Sequence, residues 1–286
     1  MKLRTITTRA AVAGATTALA TGALVGISTT SAVAAEVTNT YDCTNSIFAV
    51  SFEQPMTVSG ELPVPQYWAG AAVPENLLNV TVSAPVDPAV AGMLAGYGVS
   101  SARADDYTIA LGSGTVPVPI SGDFVTEGES TTWEATGANE AFTTPDPGMT
   151  EGKLPEAFTL IAESSAVGDV PFNCTLQEGE TAQTLASIDL LRQQSETIGK
   201  NVTVKKGKKA VVPVSVNSTS MGGAVSGGKV VAKKGSKTLD SANLKNGKAK
   251  LDLGKLPVGK TKVTITYAGI PSVAGSSDKI TVTVKK

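Results

Sequence analysis

Residues 246–267 read Asn-Gly-Lys-Ala-Lys-Leu-Asp-Leu-Gly-Lys-Leu-Pro-Val-Gly-Lys-Thr-Lys-Val-Thr-Ile-Thr-Tyr. Asn246-Gly247 is the residue pair of a type I′ hairpin turn, which needs positive φ at both central positions. After it, Ala249, Leu251 and Leu253 alternate with Lys248, Lys250 and Asp252. Beyond the break at 254–259, Val263, Ile265 and Tyr267 alternate with Lys262, Thr264 and Thr266. A period of two with one apolar face is the pattern of a half-buried strand, and it puts the lysines on the solvent side. The pattern repeats at Val212, Val214 and Val216, where Pro213 suggests an edge strand, and at Ile280, Val282 and Val284. About seven strands in residues 201–286 predict a two-sheet β-sandwich, with no cysteine inside it.

Gly254 to Thr261 also matches GxxxxGK[ST], a phosphate-binding loop. That motif works only with a helix after it, whose N-terminus receives the phosphates. Here an alternating β-branched strand follows, so a turn is predicted instead. Ser226 to Lys229 and Ser276 to Lys279 satisfy SxxK without the companion KTG and SxN motifs. The chain has no histidine, which excludes Ser-His-Asp and Cys-His catalysis and His-dependent metal sites. Asp105-Asp106 and Glu127/Glu129 are candidate carboxylate pairs for a hydrolase, but neither sits beside a clear sugar-stacking aromatic. No catalytic residue, metal site or cofactor is expected.

The net charge of −1 hides a division along the chain. Residues 36–196 carry 22 Asp and Glu against Arg103, Lys153 and Arg192, a balance of −19. Residues 197–286 carry 18 lysines against Asp240, Asp252 and Asp278, a balance of +15. The switch falls in Gln-Gln-Ser-Glu-Thr-Ile-Gly-Lys at 193–200, a polar stretch read as a linker. The expected division is therefore an acidic domain over 36–192 and a basic domain over 201–286.

Residues 1–35 read as a signal peptide. Lys2, Arg4 and Arg9 precede the uncharged stretch from Ala10 to Ile27, and Ala32-Val33-Ala34-Ala35 offers a small-residue cleavage site. No transmembrane segment is expected in the mature chain. Thr281 to Lys286 carries neither an apolar tail nor a sorting signal of the LPxTG type. The expectation is an exported protein, released or held at the cell surface by non-covalent contacts. In an exported chain the lone pair Cys43 and Cys174 predicts one disulfide tying the first strand of the acidic domain to a late one.

The acidic domain reads as a β-sandwich-like fold. Short alternating runs occur at Ile47–Ser51, 78–83, 107–111, 115–120, 131–136, 158–162 and 170–176. One short helix is predicted over 89–95, with Asp87 as N-cap, Pro88 in its first turn and Gly96 as its stop. Thr184 to Gln193 suits a second helix or a final strand equally. The overall class is all-β.

Tyr41-Asp42-Cys43, the segment from Pro88 to Gly98 and Val170-Pro171-Phe172-Asn173-Cys174 resemble an uncharacterised two-cysteine β domain. That domain belongs to exported proteins of high-GC Gram-positive bacteria. The resemblance implies a fold and a location and no chemistry. The run Asn246 to Leu251, then Leu256-Pro257-Val258-Gly259, then Val263 to Gly269, closing on Ile280 to Val284, resembles bacterial Ig-like repeat domains. The acidic-x-x-Tyr element usual after Tyr-Ala-Gly is replaced here by Ile270-Pro271-Ser272-Val273, and one copy is present. The resemblance implies a spacer, a stalk or a surface-binding module.

Lys245, Lys248, Lys250 and Lys262 are the candidate contacts to anionic cell-envelope polymers or to surface proteins. With no arginine in the basic domain, sequence-specific nucleic-acid reading is not expected. The alternative functions are a secreted hydrolase using the acidic residues of the first domain, and a pure structural spacer.

Overall fold

Val80, Val82, Ala84 and Val86 are buried while Asn79, Thr81, Ser83 and Pro85 between them are exposed. Eight strands of the first half pair antiparallel with their neighbours, as the computed structural model shows. It describes residues 36–46, 49–61 and 67–286. The signal-peptide reading of 1–35, and Ile47 and Phe48 of the strand expected at Ile47–Ser51, lie outside the described residues.

Eight strands close into a barrel in the order Glu36–Asn45, Gly168–Leu176, Ala157–Ser164, Val99–Ala104, Ile120–Glu127, Ser130–Ala138, Asn79–Val86 and Val50–Glu61. The last of these pairs with the first. The sandwich-like expectation is thereby refined, since period-two alternation is common to sandwiches and barrels. Glu36–Asn45 meets Gly168–Leu176, the late strand to which the cysteine pair ties it, and alternation alone does not show that the sheet closes.

An eight-stranded barrel has an interior just wide enough for side chains. Tyr41, Met56, Tyr107, Trp133 and Phe158 are buried in the core here, with Ala84, Ala102, Ala104, Ala135 and Ala162 leaving room for them. Gly122 makes the tightest fit, since a Cβ there would overlap the Glu134 carbonyl of the neighbouring strand. The Trp133 indole N–H donates to the Gly122 carbonyl at 3.1 Å. Rings of Tyr41 and Tyr107 meet Phe158 edge to face at centroid distances of 5.0 and 5.3 Å.

Cys43 and Cys174 sit directly opposite each other on the seam between first and last strands, joined as a disulfide with both residues buried. A second sheet, Tyr67–Trp68, Thr184–Leu191, Gly148–Lys153, Thr108–Leu111 and Gly114–Pro117, adds Leu111, Val116 and Leu185 to the barrel core. Thr184–Leu191 is thus a strand. The helix runs Pro88–Gly96, with the Asp87 carboxylate accepting from the Ala89 N–H at 2.8 Å.

The second half of the chain is a sandwich. One sheet has the order Ser195–Gly199, Lys209–Ser218, Lys248–Lys255. The other runs Val202–Lys205, Ser276–Lys285, Gly259–Tyr267, Lys229–Lys234, Lys237–Asn243. Val212, Val214, Leu251, Val263, Ile265, Tyr267 and Val282 fill the space between them. The hairpin turn forms as read, with φ of 49° at Asn246 and 69° at Gly247. A Cβ on Gly247 would lie 2.7 Å from that of Ala224, so only glycine fits.

Residues 193–200 are not a free linker. Ser195–Gly199 is the first strand of the sandwich, in register with 214–218. The polar side chains that suggested solvent are satisfied internally. Thr197 bonds the Ser276 hydroxyl, and Ser195 Oγ donates to the Ala274 carbonyl at 2.6 Å. Gln193 is buried where the two halves meet. Its N–H donates to the Ser272 carbonyl at 2.9 Å, and its side-chain amide donates to the Ala69 carbonyl at 2.7 Å.

Two outcomes follow. The native protein should take up no thiol label, and dithiothreitol without denaturant should leave the buried disulfide intact. Unfolding followed by fluorescence of Trp68 and Trp133, both in the first half, should show the reduced protein less stable by about 2–5 kcal/mol, because the bond closes a long loop. An unshifted transition would show that the seam holds without it. Separately, a fragment 191–286 should fold by circular dichroism with a higher melting temperature than 201–286, which lacks the first strand; equal melting temperatures would count against the assignment.

Candidate functional site

The three-stranded sheet of the sandwich turns Val212, Val214, Leu251 and Leu253 inward and leaves its other face to solvent. The register sets what that face carries. Ile198, Ser215 and Lys248 stand in one row across the three strands. In the next row the Lys200 N–H donates to the Pro213 carbonyl at 3.3 Å, and Pro213 stands opposite Lys250. Lys245 is placed at the edge by the hairpin, where Lys245 and Lys248 exchange backbone hydrogen bonds of 2.9 and 3.0 Å.

The result is a shallow open groove. Ile198 and Pro213 supply its apolar part, and Lys200, Lys245, Lys248 and Lys250, all exposed, line it. Lysine suits such a setting because its methylene stem lies against apolar surface while its ammonium stays in water. None of the four is in an ion pair among the described residues. Lys209 on the same sheet differs. It donates to Asp252 at 2.8 Å, and this bond, with a second from the Gly254 N–H, holds the Asp252 carboxyl below its usual range.

Three of the four lysines singled out in the sequence therefore come together. Lys262 does not join them. It stands on Gly259–Tyr267 in the other sheet, opposite Thr281. Lys200 was missed because it fell in the stretch read as a linker. The signal that would have found it is the alternation of Thr197 and Gly199 inward with Ile198 and Lys200 outward.

The other candidate chemistry is placed as follows. Residues 254–261 span the end of one strand and the start of the next, with no helix, and Thr261 is buried on Gly259–Tyr267. Ser276 is bonded to the hydroxyls of Ser195 and Thr197. Asp105 pairs with Arg103 at 3.2 Å, and Asp106 accepts the Thr159 N–H at 2.9 and 3.1 Å. Glu127 ends one strand of a hairpin and Glu129 lies in its turn, both exposed. Among the described residues no three of Cys, Asp and Glu are grouped to hold a metal ion.

Among the described residues, Arg103 is the cation that forms ion pairs on the barrel's outer face. Its guanidinium bonds Glu163, Asp169 and Asp105 from three sides. The Ser101 hydroxyl and then Arg103 hold the Glu163 carboxyl below its usual range. Burial raises the phenols of Tyr41 and Tyr107 inside the barrel, so both stay neutral. Two small apolar hollows remain in this half. One, of about 60 Å³, lies between barrel and side sheet, and the other, of about 90 Å³, lies beneath the helix at the barrel end.

Among known proteins, no curated sequence matches the chain. A Corynebacterium diphtheriae structure described as a "Putative membrane anchored protein" aligns at 14% identity and a TM-score of 0.42, covering 88% of this chain and 59% of its own. The present chain thus spans little more than half of that protein. Fibronectin(III)-like modules of CbhA from Clostridium thermocellum align at 12% identity and a TM-score of 0.26, covering 80% of this chain and 94% of theirs. A chimeric titin Z1Z2 tandem aligns at 11% and 0.26, covering 77% and 94%. Residues 191–285 match the family described as bacterial Ig-like domain (group 3), a span that takes in the strand Ser195–Gly199. The chain carries an Ig-like domain at its C-terminal end, following a disulfide-tied β-barrel.

Proposed function

We propose that the protein is exported, has no enzymatic activity, and associates with the cell surface through non-covalent contacts between its lysine face and anionic polymers of the envelope. The observation that carries this reading is the grouping of Lys200, Lys245, Lys248 and Lys250 on one solvent-facing sheet surface, without carboxylate partners among the described residues. Export is supported by the leader-like residues 1–35 and by a buried disulfide, which suits an oxidising compartment. The hydrolase alternative has less to rest on, because Asp105 and Asp106 are engaged by Arg103 and by the Thr159 amide.

Polyanion binding by several ammonium groups works through many screened contacts and the release of the polymer's counterions. The chain from Glu36 onward should therefore sediment with isolated cell walls at low salt, and the bound fraction should fall steeply towards physiological salt. Changing Lys200, Lys245, Lys248 and Lys250 together to Glu should remove most binding, while Lys262→Glu alone should leave it close to the parent. All five are exposed, so circular dichroism should show the fold unchanged. Equal binding by the fourfold variant would end the proposal and leave the lysines to solubility and edge protection.

A further inference from the structure

With Glu196 on the first strand of the sandwich, residues 36–194 carry −18 and residues 195–286 carry +14, yet no ion pair joins them among the described residues. The contacts at their junction are hydrogen bonds made by Arg192, Gln193 and Gln194, to main-chain carbonyls and to Ser220. The charge of each half is left facing outward.

On the barrel the strand register puts carboxylates directly opposite one another three times: Asp42 and Glu53, Asp123 and Glu134, Glu163 and Asp169. Like charges in directly opposed positions oppose pairing of the strands. The third pair is bridged by Arg103. The first two have no cation partner among the described residues. They point outward from strands three positions apart around the barrel, and the strands between them carry many outward hydroxyls. Thr38 bonds Thr57 at 2.8 Å and Ser59 bonds Thr81 at 2.5 Å. Glu36 and Glu134 line a shallow depression over these short side chains. A low, hydroxyl-floored surface edged by unpaired carboxylates is complementary to a low surface edged by unpaired ammonium groups. The sandwich carries such a surface around Ile198 and Pro213.

We propose that the protein self-associates head to tail, the carboxylate face of one barrel docking on the lysine face of the next copy's sandwich. The two faces are different surfaces, so the contact is heterologous. It propagates as a chain or closes as a ring according to the rotation between copies. A surface-held protein assembled this way would form an array without a covalent link. Envelope polymers and a second copy would share the lysine face. The test therefore contains no polymer, and its failure would leave the polymer reading standing.

The mature chain is studied by sedimentation velocity at low ionic strength, where the Debye length is about 30 Å, and at physiological salt, where it is about 8 Å. Species larger than the monomer, growing with protein concentration and dissolved by salt, are expected. Two variants dissect the contact by neutralising one face each: one with Lys200, Lys245, Lys248 and Lys250 changed to Gln, the other with Glu36→Gln, Asp123→Asn and Glu134→Gln. Each alone should be monomeric, because each lacks one face. Their mixture should form a discrete dimer of one copy of each, since only one complementary pair of faces remains. A parent monomeric throughout at low salt, variants that associate by themselves, or a mixture that stays monomeric would overturn the proposal. Where a variant loses its circular dichroism, the salt response of the parent decides alone.

Discussion

The seam where Glu36–Asn45 meets Gly168–Leu176 is the constraint on which the acidic half depends. Strands that follow one another in sequence pair at little entropic cost, but this pair closes a loop of 131 residues. Its register holds Tyr41 opposite Leu176 and Cys43 opposite Cys174. The bond there is made inside the barrel, so the covalent closure and the packing of Tyr41 against Phe158 reinforce each other. Tyr41 also donates its hydroxyl to the Pro155 carbonyl at 2.9 Å, fixing the segment that leads into Ala157–Ser164. With the seam shut, the barrel has no free edge, and its outer face can carry carboxylates instead of apolar cover.

The sandwich solves the same problem without a crosslink. Its first strand divides, so that Ser195–Gly199 serves one sheet and Val202–Lys205 adds in parallel to Ser276–Lys285 in the other. Asn201 sits between the two pieces, its side-chain carbonyl accepting the Thr281 N–H at 2.7 Å. Each sheet gains an edge strand, and the valine-rich interior is enclosed. The lysine face exists because the outward side of the first of these sheets is covered by nothing else in the described chain.

Local features were legible in the sequence, and among long-range ones the Cys43–Cys174 tie between the first strand and a late one was legible too. Asp87-Pro88 announced a helix start and Asn246-Gly247 a hairpin because each acts within a few residues. The alternation at Leu251, Val263 and Val282 revealed strands and the side on which lysine would lie. That the sheet closes into a barrel was hidden, since alternation is blind to curvature. The strand Ser195–Gly199 was hidden because its polar side chains find partners in Ala274 and Ser276, around the start of Ser276–Lys285. The site was legible in kind but not in membership. Lys262 alternates as Lys250 does, and only strand order separates the two sheets, while Lys200 needed the strand that polarity concealed.

We propose that function resides on one face of one sheet, not in the positive half as a whole. Lysine acetylation footprinting by mass spectrometry, on the mature protein with and without isolated cell walls, tests it most directly. Lys200, Lys245, Lys248 and Lys250 should be protected in the presence of walls, with Lys205, Lys206 and Lys262 acetylated as before. Protection spread evenly over all these lysines, or absent from the first four, would contradict it.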